Sequence, residues 1–91
     1  MFLTDAHCHI NAEYYPDGCS EMYATATEND VRRLIFASSD VRTSREAVET
    51  ARTQLASPEV YAAVGVHPHE AAKVADNYLA ELEKLAAEPR T

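Results

Sequence analysis

The 91-residue chain has no tryptophan, only two glycines and two cysteines, and few cations: eight Lys and Arg stand against fifteen Asp and Glu, a formal net charge of −7. Each shortage excludes something. Cys8 and Cys19 do not form a Cys-x-x-Cys pair, and two thiols make no disulfide framework, so both read as ordinary thiols. With two glycines, four prolines and 46% hydrophobic residues, the chain is not a low-complexity or disordered segment. No apolar run approaches the roughly 18 residues of a membrane span. The opening Met1-Phe-Leu-Thr-Asp5 lacks the positive region that starts a signal peptide. A cytoplasmic protein with no membrane partner is the expectation. The shortage of cations excludes binding nucleic acid by surface charge, since Arg32-Arg33 and the Arg42/Arg45 pair are only local clusters. A polyanion handled by this chain needs another source of positive charge, and a divalent metal is the obvious one.

What is present is a repeat of element type. Met1–His7, Arg33–Ala37 and Val60–Val66 read as strands, with starts about 30 residues apart, the usual length of a βα unit. Helical signals fill the gaps. Ser20–Glu28 carries a partial apolar stripe through Met22, Tyr23 and Ala26. Thr43-Ser-Arg-Glu46 reads as a capping box, followed by Ala47, Val48, Ala51 and Leu55 at helical spacing, with Ser57-Pro58 as the stop. A third helix is expected to be capped by Asp76, to present Leu79, Leu82, Leu85 and Ala86 on one face, and to close at Pro89. His67–Lys73 is a loop or a short helical turn. Strand–helix alternation at this rhythm predicts an α/β fold of parallel units, β1-α1-β2-α2-β3-α3.

All four histidines fall in two pairs of the same spacing, His7-Cys8-His9 and His67-Pro68-His69, each directly after a predicted strand. That end of a parallel α/β fold is where ligands bind. On an extended backbone His7 and His9 project from one face, which makes half of a site for Zn or a similar ion. Asp5 precedes them on that face, and Asn11 follows if the strand continues. Pro68 bends the second pair, so for His69 a structural role such as capping the turn competes with a chemical one. Glu46, Glu49, Glu81, Glu83 and Glu88 read as solvated helix faces. Tyr14 and Tyr15 are placed to stack on a base or to anchor a loop, the second being the commoner role.

Asp5-Ala-His7-Cys8-His9-Ile-Asn11 together with Val64-Gly-Val-His67-Pro68-His69 closely resembles the TatD family of metal-dependent deoxyribonucleases, which are amidohydrolase-like TIM barrels. Val31-Arg-Arg-Leu-Ile, Ser38-Ser-Asp and Ser44-Arg-Glu-Ala are similar to the family as well. The resemblance implies a binuclear divalent site, of Zn, Mg or Mn, that hydrolyses phosphodiesters in DNA. It places metal ligands on His7 and His9, and supporting roles near metal or phosphate on His67 and His69. Asn11 stands where the family commonly has Asp. The family's remaining ligands and its catalytic Asp come from later strands, and an eight-unit barrel needs about 250 residues. Residues 1–91 are therefore expected to be the N-terminal part of a single (β/α)8 domain, the first third of a TIM barrel ending before its fourth strand. They hold no catalytic residue of their own and are expected to be inactive alone.

Two other functions fit the same residues: another His-x-His metal hydrolase, such as a phosphoesterase or deacylase, or a non-catalytic α/β association module. Three units alone also leave the sheet's inner face and edges open, with Val64 and Val66 expected on that bare face. Self-association through the exposed edges is the expected result.

Overall fold

A computed structural model describes residues 1–91. The order of elements is β1 (Leu3–Cys8), α1 (Ser20–Glu28), β2 (Val31–Ala37), α2 (Val41–Thr53), β3 (Glu59–Ala63), a 3-10 turn (Pro68–Lys73) and α3 (Tyr78–Ala86). The three strands form one parallel sheet in the order β1-β2-β3. This is the α/β alternation expected, and it matches the first part of a TIM barrel.

Side-chain alternation in the strands builds the core. Leu34 and Phe36 of β2, with Val60 and Ala62 of β3, are buried on the face that the helices cover. Ala47, Val48 and Ala51 of α2 cluster with Phe36, Val60 and Ala62, and Ile10 closes the cluster just past the end of β1. The paired residues between them, Ile35 with Tyr61 and Ala37 with Ala63, lie on the opposite face, which no helix covers. That face is apolar over Ile35, Ala37 and Ala63, but it does not carry Val64 and Val66 as expected. Glu59 accepts from Arg33 at 3.4 Å and from the Tyr61 hydroxyl at 3.1 Å, so a polar cluster occupies one end. Val64 packs against the core instead, and Val66 lines a small cleft with Ala71, Val74, Tyr78 and Leu82.

Several boundaries differ from expectation for identifiable reasons. α2 begins at Val41, so Thr43 sits three residues inside the cap rather than at it. The capping box is Asp40–Thr43: the Asp40 carboxylate accepts from the Thr43 N–H at 2.7 Å, and the Thr43 hydroxyl accepts from the Asp40 N–H at 3.0 Å. Glu46 is engaged by Arg42 at 2.8 Å and is not part of the box. α2 also stops at Thr53, before Ser57-Pro58, which leaves Leu55 exposed in the connection.

β3 ends at Ala63 because Ser44, fully buried on α2, takes hold of Gly65. Its hydroxyl accepts from the Gly65 N–H at 3.1 Å and donates to the Gly65 carbonyl at 3.3 Å. Residues 64–66 therefore leave the ladder. In α3 the cap is Asn77 rather than Asp76, and its side chain makes no capping bond. Leu79 and Ala86 are exposed, and the half-buried stripe is Tyr78, Glu81, Leu82 and Leu85. α3 leans on α2, with Arg45 donating to Glu81 at 3.2 Å. After α3 the carbonyl of Arg90 accepts from the Ala62 N–H at 2.8 Å, on the free edge of β3.

Candidate functional site

The functional end of the sheet is organised by the connection after β2. Ser38 donates its N–H to the Ala63 carbonyl at 3.1 Å, the last rung between β2 and β3. One residue later the Ser39 carbonyl accepts from the His67 N–H at 2.7 Å, and Asp40 then caps α2. Two residues before Ser39, the Ala37 carbonyl lies 3.0 Å from the His9 Nδ1. Both histidine pairs are thus tied to one short stretch, Ala37 to Ser39.

His7 and His9 flank Cys8, which is turned toward the core and donates its thiol to the Ile35 carbonyl at 3.4 Å. The two imidazoles are exposed, with ring centroids 5.0 Å apart and edge to face. They sit side by side as the two-residue spacing predicts. A carbonyl can only accept, so the His9 Nδ1 carries the proton and its Nε2 lone pair is left free, the arrangement of a metal-binding histidine held by an outer partner. Asp5 does something else. Its carboxylate accepts from the His7 N–H at 3.1 Å, and the four residues of β1 from Asp5 to Cys8 oppose three of β2, Leu34 to Phe36. This bulge breaks the strict alternation that put Asp5 on the imidazoles' face.

At the other pair the ring centroids are 4.6 Å apart. The turn is capped by His67, not His69: the His67 Nδ1 accepts from the His69 N–H at 3.1 Å, with Pro68 at the first position of the turn. Asn11 is buried, and its carbonyl accepts from Tyr14 at 3.0 Å and Tyr15 at 3.2 Å in the turn that leaves β1. Tyr15 packs against the core. Tyr14 is exposed and tilted beside His9, 6.5 Å between centroids. A cleft of about 280 Å³ opens there, lined by His9, Asn11, Tyr14, Ser39 and Arg42 among others. Of the helix carboxylates, Glu49, Glu83 and Glu88 are exposed as expected. Glu46 and Glu81 are half-buried, and the Glu46 Oε2 is buried with no partner.

No three His, Cys, Asp or Glu side chains converge in this chain. Two imidazoles with a free Nε2 at His9 suit two corners of a divalent site, and complete hydrolytic sites use three or more protein ligands. The thiols do not add to it. Burial, and then the nearby Asp5 carboxylate, push the Cys8 thiol up to about 11, which keeps it protonated and a poor ligand at neutral pH. Sequence reasoning missed Ala37 and Ser39 as the residues that fix the histidines, and Ser44 as the one that holds Gly65. Their bonds use backbone carbonyls and one buried hydroxyl, which leave no signature in a sequence.

Known proteins are similar to this chain. The family described as TatD related DNase matches residues 4–91. A relative from Bacillus subtilis (strain 168), named as the uncharacterized metal-dependent hydrolase YabD, is 32% identical over 85 residues, covering 93% of this chain and 32% of its own length. Another from Mycobacterium tuberculosis (strain ATCC 25618 / H37Rv), named as the uncharacterized metal-dependent hydrolase TatD, is 36% identical over 93 residues, covering 97% of this chain and 33% of its own. The chain spans about a third of the length of these relatives. With its parallel βα units and both histidine pairs inside the matched residues, the chain belongs to the TatD-related DNase family.

Proposed function

We propose that residues 1–91 are the N-terminal part of a (β/α)8 hydrolase that cleaves phosphodiester bonds in DNA, with His7 and His9 as ligands to one or both of two divalent ions. The observation that carries this is the pair of exposed imidazoles at the end of β1, with His9 held through Nδ1 so that its Nε2 is free. The family and its metal-dependent relatives supply the reaction class. A divalent ion held there would polarise the scissile phosphate and supply the positive charge that a chain of net charge −7 lacks. His7 and His9 would hold the ion, Ala37 orients His9, and Tyr14 stands beside the ring where a base can stack. Two ligands are too few for turnover, so residues 1–91 by themselves are inactive. The half-buried free thiols suit a reducing compartment, and we place the protein in the cytoplasm.

The test uses the full-length gene product, purified and assayed on DNA and on a panel of model phosphoesters and amides. Hydrolysis of DNA is expected, abolished by chelator and restored by added metal. His7→Ala and His9→Ala should each lose at least the roughly 10–100-fold seen when even an outer partner of a ligand is removed. Preference for an amide substrate would move the protein to the deacylases, and chelator-resistant turnover would end the reading.

A further inference from the structure

Three of the chain's eight cations line one cleft, of about 340 Å³, that is separate from the histidines. Arg42 and Arg45 reach it from the first turns of α2, Lys73 from the end of the 3-10 turn, and Tyr78 and Glu81 of α3 form its far side. It opens at the histidine end of the sheet, between the start of α2 and the turn that follows His67. It meets the cleft beside His9 at Asp40, Arg42 and Glu70, which line both.

These cations keep donors to give. Arg45 donates to Glu81 at 3.2 Å through one nitrogen, and the Lys73 ammonium lies 3.7 Å from Glu70, beyond a hydrogen bond. Both side chains are more than half exposed, and exposed pairs of this kind hold weakly enough to exchange for another anion. The third carboxylate, Asp40, is committed to the Thr43 N–H and hydroxyl as the cap of α2. The lining is neutral in sum, three cations against Asp40, Glu70 and Glu81, while the whole chain carries −7. A polyanion meets less repulsion here than over the rest of the surface.

We propose that this cleft holds the backbone of a single DNA strand beyond the nucleotides at the metal site, with Arg45 and Lys73 each on a phosphate and Arg42 at the junction. This rests on the hydrolase reading above. Cations that track a backbone beside an aromatic ring hold single strands without sequence preference, and Tyr14 beside His9 is such a ring. Three cations are too few to grip DNA by themselves. They guide a strand that the site beside them already holds.

The test uses the full-length gene product, loaded with metal, on oligothymidylates of two and eight nucleotides. The longer strand should have the lower KM. Arg45→Gln combined with Lys73→Gln should raise that KM toward the value for the dinucleotide, and leave kcat and both dinucleotide constants unchanged. Two lost phosphate contacts should lower the slope of log KM against log salt by about 1.4, so the wild-type advantage on the long strand shrinks roughly sevenfold between about 50 and 200 mM salt. Arg52→Gln with Lys84→Gln removes the same charge away from the cleft and should leave the slope as it was. An equal loss on both lengths, no loss on either, or an unchanged slope in the first variant overturns the proposal. Cleavage of neither strand ends the hydrolase reading instead, and fluorescence anisotropy of the labelled eight-nucleotide strand then decides the cleft. Binding weakened by Arg45→Gln with Lys73→Gln supports it, and binding indifferent to them overturns it.

Discussion

A half-buried thiol and a buried hydroxyl make predictions at the scale of single residues. Desolvation raises the Cys8 thiol from an ordinary 9.0 to about 11. A group whose pKa is raised on folding stabilises the fold fully below its unfolded value, and that contribution is lost as pH rises through the folded one. The midpoint of urea unfolding should therefore fall between about pH 9 and pH 11, and Cys8→Ala should flatten that part of the profile. Tyr23, raised to about 12 by burial and the neighbouring Cys19, extends the loss to higher pH. Alkylation of Cys8 at pH 8 should be slow in the folded chain and fast in denaturant. Ser44 is the other case. Ser44→Ala leaves the Gly65 N–H and carbonyl without their partner, a cost of about 1–3 kcal/mol. Urea unfolding measures it, and no loss of stability would mean that the Gly65 clasp does not hold the loop.

Among elements, α2 depends most on one residue. Asp40 accepts from the Thr43 backbone N–H, and that bond holds its carboxyl below the ordinary 3.8. Asp40→Ala should cost about 1 kcal/mol in chemical denaturation. Because the folded pKa is lowered, this contribution is complete above pH 3.8 and drains away as pH falls through the folded value. Asp40→Asn should keep most of the cap and lose that acid dependence. The same helix shows what was legible in the sequence. Its apolar stripe, Ala47, Val48 and Ala51, is readable because burial repeats at helical spacing. Its start was not, since Asp40 and Thr43 are both good caps and only the backbone angles choose between them. α1 was legible at both ends. β3 was read three residues too long, because Val64 and Val66 look like strand and a hydroxyl on another element pulls them away. The histidine pair of β1 was legible from its spacing. The partner of each Nδ1 was not, because it is a backbone group brought up by the fold.

At the scale of the whole molecule, the chain is more open than its size requires. Its accessible area is 6043 Å², against about 5,300 Å² for a compact monomer of this mass. Its radius of gyration is 13.5 Å, against about 12 Å for a compact domain of this length. The excess belongs to the uncovered sheet face and to β1, whose side chains are exposed from Leu3 to His7. Parallel sheets are normally buried on both sides. We expect the 91-residue chain to self-associate, with a mass by light scattering that rises with concentration. Ile35→Lys, on the uncovered face, should reduce that rise by placing a charge where strands and faces meet. A constant monomer mass across the concentration range would show that the polar cluster of Arg33, Glu59 and Tyr61 is enough to keep the face solvated.

The strand order has a consequence for how the chain assembles. Each strand lies beside the one before it, so every closure between neighbouring strands spans nearly the same length: 27 residues from Cys8 to Ile35, 28 from His9 to Ala37, 26 from Arg33 to Glu59. The entropy of closing a loop grows only with the logarithm of its length. Among these three strands no closure is much harder than the last. β2 can settle on β1 while β3 is still being made, so the order of folding follows the order of translation.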